Sequence, residues 1–123
     1  MKSYILGFIV MLGLTSSVNA NDISKDYWMS QMVKIFPSEM CKDGSYFRHC
    51  FAVSASECTQ TLENLTKGCM QKYSSQMPTT FNQPDDGRHW GQVVGACAGG
   101  NYDSKLASKM VDDPKCKDPS AWQ

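Results

Sequence analysis

Apolar residues recur at helical spacing through several stretches of the chain, separated by polar and turn-forming residues. Between Ser24 and Phe36, the residues Trp28, Met32, Ile35 and Phe36 fall at i, i+4, i+7 and i+8, one face of a helix. Ser24 can cap its start, Asp26 sits in the first turn and Lys34 in the last, and Pro37 is expected to end it. Lys42-Asp43-Gly44 is a turn signal. Tyr46, Phe47, Cys50 and Phe51 resume helical spacing; a strand over 46–53 fits less well, because both of its faces would carry aromatic rings.

The clearest element runs from Ser54 to about Tyr73. Ser54 and Glu57 have the spacing of a capping box, and Cys58, Leu62, Leu65 and Cys69 follow along nearly one line of the helix surface. A second clear helix carries Trp90, Val93, Val94 and Cys97 at i, i+3, i+4 and i+7; Asp85 or Asp86 would cap it and Gly99-Gly100 would stop it. It also holds Gly87, Gly91, Gly95 and Gly99, one every four residues. Each internal glycine costs roughly 1 kcal/mol against alanine, so the pattern predicts close packing of another element on this helix. Asp103-Ser104 opens a last helix that buries Leu106, Ala107, Met110 and Val111 and ends at Asp112-Asp113-Pro114. Ser74 to Asp85, with Met77, Pro78, Phe81 and Pro84, shows no period and reads as a long loop. The predicted fold class is all-α, a small bundle of four to five short helices.

The N-terminal segment changes the compartment. Lys2, an apolar run from Tyr4 to Leu14 and the small-residue end Val18-Asn19-Ala20 read as a cleavable secretory signal over 1–20, leaving a single domain over 21–123. The run is shorter than the ~20 residues of a bilayer-spanning helix, so no membrane anchor is expected after cleavage. Export to a bacterial periplasm or to the medium follows, and with it an oxidising environment.

Six cysteines, Cys41, Cys50, Cys58, Cys69, Cys97 and Cys116, all lie in the exported part and predict three disulfides. Zinc sites favour close cysteine pairs, which are missing here, and the chain has two histidines, His49 and His89; no metal is expected. In a continuous helix Cys58 and Cys69 stand about 16 Å apart, beyond the ~7 Å that a bridge allows, so they must bond elsewhere. Antiparallel packing of the two clear helices puts Cys97 near Cys58, predicting Cys58–Cys97, with Cys69 joined to Cys41 or Cys116 and Cys50 to the other.

Lys and Arg number 12 and Asp and Glu 12, a balance that lacks the footprint of a nucleic-acid binder or a polybasic membrane protein. No cofactor-binding motif is visible, so no cofactor is expected. The densest polar cluster, Asp85-Asp86-Gly87-Arg88-His89-Trp90, suggests a small hydrolase using His89 with Asp85 or Asp86. His49 beside Cys50 is a poorer pair, because adjacent helix residues point about 100° apart. A carrier of a small apolar ligand along the glycine stripe is a further alternative. The leading expectation is an exported, non-catalytic protein-binding module whose partner is another protein, with Met77, Phe81, Arg88, His89 and Trp90 as contact residues. Against this, Met77 and Phe81 could fold back over the helical hairpin and close a small core. In general build the chain is similar to periplasmic inhibitor and immunity proteins and to some secreted effectors, without aligned residues to carry over.

Overall fold

The structure, a computed structural model, describes residues 21–122; the expected signal segment 1–20 lies outside the described residues. Helix α1 spans Lys25–Met40 and starts where its sequence says, with Ser24 Oγ accepting the Tyr27 N–H at 3.1 Å. It does not end at Pro37. The proline lies inside the helix with its ring fully buried, and the Cys41 N–H closes the last turn on the Pro37 carbonyl at 3.0 Å. Burying the ring outweighs the hydrogen bond that its missing N–H forfeits. A single turn, α2 (Tyr46–His49), follows the Gly44 reversal.

Helix α3 (Ala55–Tyr73) opens on Ser54, whose Oγ accepts the Glu57 N–H at 3.1 Å. The Glu57 carboxylate pairs with Lys109 at 2.5 Å. Helix α4 (Asp85–Lys105) is longer than expected, because it continues through Gly99 and Gly100. Packing explains why: beyond the glycines Tyr102 is fully buried, its hydroxyl donating to the Phe47 carbonyl at 2.9 Å. The separate helix expected from Asp103 is therefore the end of α4 followed by a 3-10 turn at Ala107–Lys109.

Three of the four glycines of the α4 stripe face the protein's own aromatic rings, and Gly87 faces the Gln83 side chain. A Cβ at Gly91 would touch Trp28 at 4.0 Å, one at Gly95 would lie 3.4 Å from Phe36, and one at Gly99 would lie 3.3 Å from Phe47. Three rings from α1 and α2 thus lie on the α4 backbone, so the stripe serves close packing rather than a separate apolar ligand. Around them a core of Trp28, Phe51, Leu62, Phe81, Val94 and Tyr102 joins all the helices. Its one buried polar side chain among the described residues, Thr66, donates to the Leu62 carbonyl at 2.6 Å.

The segment expected to be an open loop contains a strand. Strand β1 (Asp22–Ser24) pairs antiparallel with β2 (Thr80–Asn82), with Ile23 opposite Phe81. Three residues are too few to display an alternating pattern, which hides such a strand in the sequence. The architecture is all-α with three disulfides and this one small ribbon. Among the described residues no helix is long and apolar enough to cross a membrane.

The bridges are Cys41–Cys58, Cys50–Cys116 and Cys69–Cys97. Cys58 and Cys69 avoid each other as helix geometry requires, but the expected Cys58–Cys97 bridge does not form, and Cys69 takes neither Cys41 nor Cys116. The length of α4 is the reason. With the helix running on to Lys105, Cys97 stands at mid-helix, level with Cys69. The same antiparallel register carries on to the Glu57–Lys109 ion pair at the far end of the hairpin. Cys58 lies at that far end, about 16 Å from Cys69 along α3, and meets Cys41 just past the end of α1.

Candidate binding surface

The polar cluster at the start of α4 is spent largely on building the helix terminus. Gln83 Oε1 accepts the Gly87 N–H at 2.9 Å, so Gln83, rather than Asp85 or Asp86, satisfies a free donor of the first turn. Asp86 turns back to accept the Asn82 N–H at 2.7 Å, tying α4 to β2. Both aspartates sit in the first turn, where the helix dipole favours acids. Arg88 and His89 are exposed, and the His89 ring meets Trp90 edge-on at 4.9 Å. Among the described residues no hydrogen bond or ion pair joins His89 to Asp85 or Asp86. The acid–imidazole pair that a hydrolase needs is not assembled here.

The other three residues expected to form a contact surface point inward. Phe81 is fully buried, Met77 is 6% exposed and Trp90 is 9% exposed. They close the core over the α3–α4 hairpin; only Arg88 and His89 of the expected five are displayed to solvent.

A different apolar surface is displayed. Tyr27 and Ile35 on α1 are 56% and 54% exposed, the large hydrophobic side chains left open among the described residues. They lie two turns apart, about 12 Å along the helix, with Gln31 between them. The spacing predicts Ile35 on the buried face with Trp28, Met32 and Phe36; α1 instead buries Trp28 and Pro37, packs Met29, Met32, Val33, Phe36 and Met40 partly buried beside them, and leaves Ile35 outside. Between the two exposed side chains and β1 runs a shallow groove of about 240 Å³, with Trp28 at its base and Ile23, Met32 and Gln83 along its sides. No Lys, Arg, Asp or Glu side chain lines it. Phe81 supports it from below, its ring centroid 4.9 Å from that of Trp28. The sequence does carry a signal for this surface: α1 has more apolar positions than one buried face can hold, and Tyr27 and Ile35 are the surplus.

At the opposite corner, ligand atoms of His49, Asp113 and Cys116 lie within 4.8 Å of one another. Cys116 is bonded to Cys50, so its sulfur offers no thiolate to a metal. What remains is a tie between α2 and the C-terminal segment, His49 Nε2 to Asp113 Oδ2 at 2.7 Å. The hydrogen bond from His49, with one from the Lys115 N–H, holds the Asp113 carboxyl below the usual carboxylate range. A depressed native pKa gives stabilisation that is complete above the unfolded-state pKa and lost as pH falls through the native one. Asp113→Asn should therefore lower the melting temperature slightly at neutral pH, and the gap should close in acid. Melting curves of both proteins across the acid range check this; a gap independent of pH would refute it.

Comparison with known proteins returns one family. A family model described as "T2SS substrate NttA" matches residues 22–110, from β1 through α4 to Met110. No characterised protein and no solved structure gives a significant match. The match covers most of the chain and every helix and strand named above, and three disulfides fit an oxidising exterior. The chain belongs to the NttA family of type II secretion substrates and is an exported protein.

Proposed function

We propose that this chain is a non-catalytic binding module that acts after export by recognising another protein through the outer face of α1. The observation that carries the reading is the exposure of Tyr27 and Ile35 beside an uncharged groove, while the other large apolar side chains among the described residues are buried or partly buried. Large apolar side chains left in solvent are typical anchors of protein interfaces. Helix α1 is fixed at both ends, by the β1–β2 pair before it and the Cys41–Cys58 bridge after it. A surface held in this way loses little conformational entropy on association. The unassembled His89 pair removes the main support for a hydrolase, and the filled glycine stripe does the same for a carrier.

Each anchor is about half buried already, so covering the remainder contributes roughly 1 kcal/mol apiece, or about ten- to a hundredfold in affinity together. Oxidised protein used as bait in the fluid it is exported into should retain one partner at fixed stoichiometry. Tyr27→Ser combined with Ile35→Ser should lose that partner by at least roughly tenfold while the melting temperature stays close to the parent's. Retention of the partner at full affinity by this variant, or its loss on Arg88→Ala with His89→Ala instead, would move the surface away from α1.

A further inference from the structure

The C-terminal segment that Cys116 ties down encloses, with α2 and α4, a pocket of about 300 Å³. Tyr46 and Trp122 form two of its walls, their rings edge-on at 5.6 Å, and Pro119 and the Cys50–Cys116 bridge add apolar surface. The Asp103 carboxylate is the acidic group of the lining, with Oδ1 accepting the Tyr46 hydroxyl at 3.0 Å. Burial is the main influence on both partners. It raises the Asp103 carboxyl above its ordinary range, and it pushes the Tyr46 hydroxyl up to about 12, so that the phenol remains a donor at neutral pH.

Among the described residues no cation is paired with Asp103. Lys117 also lines the pocket, but its ammonium is turned to Asp112 at 3.7 Å, and Lys115 lies over the Trp122 ring with Nζ 4.4 Å from its centroid. A partly desolvated carboxylate thus stands beside two aromatic rings without a counter-charge of its own. An anion would be repelled by Asp103, and a neutral molecule would leave the carboxylate's charge uncompensated. A cation with an apolar body satisfies both the carboxylate and the rings, since aromatic faces attract cations and the alkyl groups gain apolar contact.

We propose that this pocket binds an organic ammonium group, its charge against Asp103 and its alkyl part between Tyr46, Trp122 and Pro119. The site is independent of the α1 surface: its residues come from other elements, and neither reading needs the other. The volume suits a single small head group, at the lower end of small-molecule sites.

Choline is the probe, and its neutral isostere 3,3-dimethyl-1-butanol is the control for shape. The readout is the indole N–H of Trp122 in two-dimensional NMR of the oxidised protein, a group that donates to the Lys115 carbonyl at 2.9 Å. Choline should shift this resonance saturably, and the isostere should bind roughly tenfold more weakly or not at all. Asp103→Asn keeps an acceptor for the Tyr46 hydroxyl but removes the charge. It should retain the melting temperature and weaken choline by a similar factor. Equal shifts with the isostere, equal affinity in Asp103→Asn, or no saturable shift would each overturn the proposal.

Discussion

Phe81→Ala is expected to lower the melting temperature of the oxidised protein by on the order of 10–20 °C. The side chain is fully buried in a segment that otherwise reads as a loop. It sits opposite Ile23 in the two-stranded ribbon, and its ring packs on Trp28, which in turn lies against the α4 backbone at Gly91. Removing it leaves a cavity where the ribbon, α1 and α4 meet. Buried Phe→Ala changes cost about 3–5 kcal/mol, a large part of the 5–15 kcal/mol that holds a typical domain. Tyr27→Ala, by contrast, truncates an exposed ring and should stay within about 0.5 kcal/mol of the parent. Thermal melts of the two variants separate a core residue from a displayed one. A melting temperature unchanged in Phe81→Ala would mean that the ribbon is not docked, and the groove beside Trp28 would then lose its floor.

The contrast between these two residues shows where the sequence is readable. Helix starts are legible because their determinant is local: Ser24 and Ser54 each cap through a side-chain oxygen three residues from its donor. Helix ends are less so, because packing decides them. Pro37 and Gly99-Gly100 are stop signals in isolation, and each is overridden by burial of neighbouring side chains, the proline's own ring in one case and Tyr102 in the other. The second of these ends decides the bridges, since a helix stopped at Gly99 puts Cys97 at its tip and a helix ending at Lys105 puts it level with Cys69. The aromatic partners of the glycine stripe come from α1 and α2, far away in the chain, so the spacing announces close packing without naming what packs. The displayed face of α1 was hidden for a related reason. Periodicity defines an apolar stripe but not how far along it a partner reaches: Trp28 and Ile35 lie nearly on one line of α1, yet Phe81 packs on the Trp28 ring while Ile35 stays 54% exposed.

Of the three bridges, Cys50–Cys116 should be the one whose loss costs most. It closes a sequence separation of 66 residues, against 28 for Cys69–Cys97 and 17 for Cys41–Cys58. Loop-closure entropy gives about 4 kcal/mol for the longest and about 3 for the shortest, so the three double alanine variants should melt in that order. Topology sharpens the difference. Cys41–Cys58 and Cys69–Cys97 join helices that also pack on each other through the core, whereas Cys50–Cys116 secures a segment beyond α4 whose other ties are few. Past Met110 they include the Val111 N–H to the Cys50 carbonyl at 2.9 Å, the His49–Asp113 pair and the contacts of the Trp122 ring with Tyr46 and His49. The segment lies past the region matched by the family model, which includes Cys50 but not its partner. In Cys50→Ala with Cys116→Ala, far-UV circular dichroism should keep its helical signature while the Trp122 indole resonance moves to its unfolded position. Choline should then no longer bind, because one wall of the Tyr46–Asp103 pocket is gone. If this pair instead proved the least costly of the three, the segment would be held by its side-chain contacts alone, and the pocket should survive reduction of the bridge.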